Sequence, residues 1–304
     1  MYRYRNMLIG LKLDEQDESV IRYSGMISRM AQSKNAYFIH VDKHDEIPDE
    51  IKEEYPQLAD SFSKKEKEQM DETIKKYFNG YSETRIISEI IHGKPVITFI
   101  DSIKDKDIDL VIYGHRKDKK SDIKISERLA RKAPCSVLLL PEFPENKIEK
   151  LLVASDFSEN SMNALNVAIA FAEAVKATEI ICLHVYRVPG GYYKTGKSLE
   201  EFADIMKKNA IREYEEFIGQ IDVKGLNIKP LFINNKDTEE AIHSVIDNNN
   251  IDLICIGSRG RSASSAILLG SLTEKLIWTS PIPVIAVKKK GEGMHFLDAL
   301  LNPR

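Results

Sequence analysis

Residues 107–116 read DIDLVIYGHR and residues 250–259 read NIDLICIGSR. Each is a short, near-continuous apolar run that ends in glycine, as a strand covered on both faces of a sheet reads. Their glycines, Gly114 and Gly257, stand 143 positions apart (257 − 114). Working outward, the run Met7–Leu11 (MLIGL) is answered by Leu151–Ser155 (LLVAS), and Tyr37–Val41 (YFIHV) by Ile181–Val185 (ICLHV), the last pair offset by 144 (185 − 41). The closing runs VLLL after Pro134 and VIAV after Pro283 complete the match. Spacing this constant means one unit written twice, with few insertions between the copies and a shared strand order.

Polar stretches with helical periodicity lie between the apolar runs, among them Met162–Ala174, Glu200–Ile218 and Thr238–Asn248. Strands alternating with helices imply parallel sheets built by right-handed crossovers, with helices on both faces. The expected fold class is therefore α/β: two tandem Rossmann-like three-layer domains, each with a five-stranded, mostly parallel sheet. The expected boundaries are 1–143, 147–290 and a tail of 291–304, with the proline-punctuated stretch from Pro141 to Asn146 as linker. Ligands in such sheets bind beyond the carboxyl ends of the strands at the switch point. That rule gathers the loops after Ser155, Val185 and Ile256.

Bulk properties narrow the classes. A chain of 304 residues with 42% hydrophobic content supports two cores, and a net charge of −3 gives no field that would gather nucleic acid. The three cysteines are odd in number, sit in or beside apolar runs and read as reduced core residues. No run approaches the roughly 20 apolar residues of a membrane span, and the polar start lacks a secretory signal, so the expected location is the cytoplasm.

Only the second copy continues into a glycine pattern. Gly257 closes its strand, Gly260 follows, and Gly270 with Ser271 opens another helix, where Ser271 and Glu274 have the spacing of a capping box. Backbone bared by glycine together with a helix N-terminus suits an anion, phosphate above all. Arg259, Arg261 and the hydroxyls of Ser262, Ser264 and Ser265 stand ready to add charge and hydrogen bonds. The alternative is that the glycines only make turns.

These residues resemble the universal stress protein family, whose nucleotide-binding members carry Gly-x2-Gly-x9-Gly-Ser/Thr; Gly257, Gly260, Gly270 and Ser271 match it without a gap. The resemblance spans the second half and, more loosely, the first. It implies that Asp156 meets the adenosine portion of ATP, Val185 the adenine, and Gly257, Gly260, Gly270 and Ser271 the ribose and phosphates, with Arg259 and Thr273 as additions. It further implies a stress-response sensor with slow hydrolysis or self-phosphorylation at most, Mg²⁺ arriving with the nucleotide, and domains paired through their last strands. Two copies in one chain would satisfy that pairing internally as a pseudo-dimer, or join a second chain. In the first half, Lys12 falls opposite Asp156, and Ile123 and Lys124 opposite Gly270 and Ser271, so ATP binding of the family kind is not expected there.

Two competing readings stay open. Gly191–Ser198 (GYYKTGKS) fits the phosphate-loop formula GxxxxGK(S/T), which makes a nucleotide hydrolase the alternative function and Lys194 or Lys197 candidate lid residues. A ligand-free scaffold is the other. His40, Asp42 and His44 are spaced to face one metal, but His184 repeats His40, which favours a structural role. No catalytic Ser/His/Asp or Cys/His arrangement is legible, and the tail from Gly293 has the look of a docking segment.

Overall fold

In each copy the strands form where branched and leucine-type side chains run together, and the helices where apolar residues recur at three- and four-residue spacing. The structure, a computed structural model, describes residues 4–42, 56–261 and 269–289, leaving aside the side chains of 56–63. His44, Ser262, Ser264, Ser265 and the tail from Gly293 lie outside the described residues. Two compact units result, one made of the chain through Asn146 together with Lys289, the other running Lys147–Lys288.

The first unit follows the order β1 (Asn6–Leu11), α1 (Asp17–Ala31), β2 (Asn35–Asp42), α2 (Pro56–Tyr77), β3 (Arg85–His92), α3 (Pro95–Asp105), β4 (Leu110–Gly114), α4 (Lys120–Lys132) and β5 (Ser136–Leu140). The second repeats it: β6 (Lys150–Ala154), α5 (Glu159–Val175), β7 (Glu179–Tyr186), a 3₁₀ turn (Tyr192–Thr195), α6 (Leu199–Ile218), β8 (Ile228–Asn234), α7 (Thr238–Asn249), β9 (Leu253–Gly257), α8 (Ser271–Thr279) and β10 (Val284–Val287). The strand order is β3-β2-β1-β4-β5 in the first unit and β8-β7-β6-β9-β10 in the second, and the neighbours pair in parallel. The order reverses between β1 and β4, and between β6 and β9, which creates the switch-point crevice. Strands β4, β5, β9 and β10 are buried throughout, as a sheet with helices on both faces requires.

The repeat extends to single torsion angles. Leu13 (φ 60°) matches Phe157 (φ 61°), Gln32 (49°) matches Lys176 (55°), and Asp107 (51°) matches Asn250 (52°). Side chains rarely adopt this left-handed region, so the same three strained turns in both copies fix the register between them. His40 Nδ1 bonds the Leu11 carbonyl at 3.1 Å and His184 Nδ1 the Ser155 carbonyl at 2.8 Å. Leu11 therefore corresponds to Ser155, and Lys12 to Asp156.

Candidate functional site

At the second unit's switch point the strands β6, β7 and β9 end around a cavity of about 560 Å³, within the range of roughly 300–1,000 Å³ usual for small-molecule sites. Its floor is apolar. Val185, leaving β7, packs against a core cluster that includes Leu183, Ile242 and Ile256, and these four line the cavity together. Asp156, Gly257, Arg259, Gly260, Gly270, Ser271 and Thr273 line it as well, so the fold brings all eight residues singled out from sequence to one place.

Asp156 is held rather than free. Its Oδ1 accepts from the Ser158 amide (3.1 Å) and the Ser161 hydroxyl (2.7 Å), and its Oδ2 from the Arg261 amide (2.6 Å). Burial pushes the carboxyl pKa up, but the hydrogen bonds from Ser158, Ser161 and Arg261 outweigh it and leave the group below its ordinary value. The same contacts position the start of the glycine loop, whose Arg261 guanidinium also meets Glu213 of α6 at 2.8 Å.

The glycines differ in what they are for. A Cβ on Gly257 would stand 2.8 Å from Asn160 Cβ and 2.9 Å from the Asn160 backbone, so Gly257 is bare because α5 packs on it. Helix packing is a requirement that neither ligand approach nor a turn had suggested for this position. Gly260 has no positive φ; its added Cβ would meet Asp156 Oδ2 at 2.9 Å. Gly270 is extended (φ −74°, ψ 148°), and an added Cβ would find its neighbours at 3.5 Å or more. Local packing therefore does not demand a glycine there, and the position lines the cavity.

The capping box expected on Ser271 and Glu274 does not form. Gly270 is the N-cap, without a side-chain hydrogen bond, and Ser271 is already helical. Gly270's extended torsions place the boundary one residue earlier, and among the described residues the first-turn amides of α8 have no intrahelical acceptor and no side-chain cap. Ser271, Leu272 and Thr273 of that turn line the cavity, at the positive end of the helix dipole. Thr273 is buried and donates its hydroxyl to the Gly257 carbonyl at 3.0 Å, tying α8 to β9. Sequence reasoning missed Ser161, Ile242 and Thr238, which also lines the cavity; of these only Ser161 had a signal, since it stands where the first copy has Asp17.

A sequence model described as the universal stress protein family matches residues 3–141 and again 147–288. The chain belongs to the universal stress protein family. A relative in Methanocaldococcus jannaschii, universal stress protein MJ0577, is 31% identical over 157 residues, 47% of this chain and 96% of that one. Universal stress protein E of Escherichia coli K12 is 23% identical over 293 residues, 91% of this chain and 92% of its own. The crystal structure of a universal stress protein from Archaeoglobus fulgidus aligns with a TM-score of 0.63 at 21% identity, over 94% of this chain and 96% of that one, which shows the tandem fold.

Within this universal stress protein the phosphate-loop lookalike folds differently from its formula. Residues Tyr192–Thr195 form a 3₁₀ turn between Gly191 (φ 92°) and Gly196 (φ 74°), and Ser198 is the N-cap of α6 in a capping box with Glu201. The Ser198 amide donates to Glu201 Oε2 at 2.8 Å, and Glu200 and Glu201 occupy the first turn. Two acids at the helix start repel a phosphate, and the stretch lies outside the cavity lining. Metal-binding groups of three or more His, Cys, Asp or Glu are absent among the described residues.

The first unit's crevice is narrowed and its charges are met by its own side chains. Lys12 Nζ meets Asp122 Oδ2 at 2.6 Å and Gln16 Oε1 at 2.8 Å, and Arg116 meets Asp14 at 2.7 Å. Where the second unit has Ile242 and Ile256, the first has Phe99 and Tyr113, packed edge to face at 5.9 Å. The remaining space is about 390 Å³.

Proposed function

We propose that the second unit binds an adenine nucleotide, with ATP the expected form, and that the protein acts as a stress-response sensor through bound-state shape rather than turnover. The uncapped N-terminus of α8 opening on an apolar-floored cavity supports this reading. Adenine would lie against Val185 and Ile242, the ribose near Asp156, and the phosphates against Gly260, Gly270 and Ser271, with Arg259 adding charge. Gly257 and Thr273 act by holding β9, α5 and α8 in place. The described residues bring the phosphate end Arg259 and the helix dipole, so Mg²⁺ carried by the nucleotide would offset the remaining charge.

The three cysteines are buried and outside any disulfide, which fits a reducing cytoplasm, and no helix among the described residues is long and apolar enough to cross a membrane. Internal pairing of the two closing strands as a pseudo-dimer is proposed on their apolar sequence and on the family resemblance; strand-restricted crosslinking in dilute monomer tests it.

The deciding experiment uses the chain's one tryptophan. Trp278 sits on α8, two turns from Ser271, so its emission should change saturably with ATP, and mass spectrometry of gently purified protein should find an adenine nucleotide. An unresponsive Trp278 with no retained nucleotide would leave the scaffold reading; multiple turnovers lost on Lys197→Ala would establish the hydrolase.

A further inference from the structure

The first unit keeps a cavity of about 390 Å³ where its strand order reverses, the counterpart of the second unit's larger one. Matched residues line both. Val41, Arg116 and Ile125 stand where the second unit has Val185, Arg259 and Leu272. The volume still falls within the range of about 300–1,000 Å³ usual for small-molecule sites, so the narrowing changes what the crevice can hold without closing it.

The lining divides into two parts. Leu11, Val41, Phe99, Tyr113 and Ile125 give it an apolar floor. Arg116 stands at the polar end, its side chain 14% exposed, and among the described residues only its Nη2 is hydrogen-bonded, to Asp14 at 2.7 Å. Its buried Nε lies 3.8 Å from Asp122, too far for a hydrogen bond, and has no other partner among the described residues. A largely buried guanidinium with unspent donors lacks an acceptor. Charge decides which kind. Lys12, Arg116 and Lys119 line the crevice against Asp14 and Asp122. Asp122 answers Lys12 and Asp14 answers Arg116, which leaves one cation in excess. A single negative charge balances that lining, whereas a phosphate chain would overshoot it beside two carboxylates. A planar carboxylate also matches the guanidinium fork.

We propose that the first unit's crevice is a second binding site, distinct from the second unit's cavity, for a small molecule with an apolar body and one carboxylate held by Arg116. Benzoate, benzamide and phenyl phosphate share a ring and differ in the head, so saturation-transfer NMR titrations of the full chain with each test it. Benzoate is expected to bind, and benzamide and phenyl phosphate to bind about tenfold more weakly or worse. Arg116→Gln weakens benzoate by a similar factor. Ile125→Phe fills the crevice from a half-buried position that takes no part in the ion pairs, so benzoate binding is lost while the unfolding transition stays in place. Excess ATP leaves benzoate binding unchanged. No benzoate binding at millimolar concentration, benzamide or phenyl phosphate binding as well as benzoate, or binding that survives Ile125→Phe or yields to ATP overturns the proposal.

Discussion

The helix after β4 and the helix after β9 begin differently, although both end alike, at caps with φ −62° and ψ 131° on Ala133 and Ser280. Counted back from those caps, α4 starts about one turn earlier than α8, so Ile123 lies inside a helix where Gly270 bounds one. The extra turn brings Asp122 to the helix start, and Lys12, standing where the other copy has Asp156, binds it. One copy has met its helix dipole with its own charges; among the described residues the other brings no side-chain cap to its helix start, which lines the cavity. The acid has also changed place: Asp17 accepts the Lys12 and Leu13 amides in the first copy, whereas in the second the corresponding Ser161 serves Asp156. On the proposed reading of the second unit, a handful of exchanges that keep the backbone register separate a nucleotide site from its counterpart in the first.

The largest expected effect concerns that displaced acid. Burial raises the Asp17 carboxyl from 3.8 to about 6 against the hydrogen bonds of the Lys12 and Leu13 amides. The folded carboxyl then holds a proton that the unfolded chain releases between about pH 4 and 6, so stability rises as pH falls through that window and the penalty is complete above it. The shift corresponds to a few kcal/mol at most, on the order of 3. Urea unfolding of wild type and Asp17→Asn across these pH values should show a gain on acidification that the variant lacks; parallel curves would reject it. Asp156, held below 3.8, should act oppositely, its contribution present above that value and lost in stronger acid.

Next comes the exchange that makes the second copy resemble the first. Gly270→Ile should weaken nucleotide binding by about a hundredfold, near 2.7 kcal/mol, while the fold stays intact, because the extended backbone and the space around an added Cβ accept a branched side chain. Fluorescence titration and thermal melts separate the two outcomes, and retained affinity would mean that the phosphates lie elsewhere.

The paired glycines closing β4 and β9 sharpen the contrast in packing. An added Cβ on Gly257 meets the Asn160 backbone, while on Gly114 it meets the side chains of Val20 and Gln16 at 2.7 and 2.9 Å. Backbone yields less than side chain, so Gly257→Ala should destabilise by about 2 kcal/mol and Gly114→Ala by about half that. Equal losses in chemical denaturation would show that α5 adjusts as readily as Gln16 does.

Much of this was readable from residues alone, for identifiable reasons. Strands such as Leu253–Gly257 and Leu110–Gly114 announce themselves because both faces are buried and nearly every position is apolar. Gly257, Arg259, Gly260, Gly270 and Ser271 were legible because the glycine spacing after a strand converts into position on a known topology, whereas Asp156, Val185 and Thr273 came with the family resemblance. What stayed hidden depends on contacts across the chain. That Gly257 serves α5, or that Thr273 turns inward to a strand carbonyl, requires knowing which helix lies over which strand. The capping box on Ser271 was misread because the spacing of serine and glutamate is the same whether the serine precedes the helix or begins it, and only the torsions of Gly270 decide.

The smallest expected effect separates two loops that sequence alone ranks alike. Lys197 belongs to the better-known phosphate formula, and Arg259 to the glycine pattern, yet only Arg259 lines the cavity. The helix next to Lys197 is capped by its own Glu201 and begins with two acids, so its dipole is already answered, as that of α4 is. Lys197→Ala should therefore leave ATP affinity within a few-fold, less than about 1 kcal/mol, while Arg259→Ala weakens it more. Titrating both variants by Trp278 emission orders them, and a Lys197 effect exceeding that of Arg259 would move the phosphates out of the glycine loop.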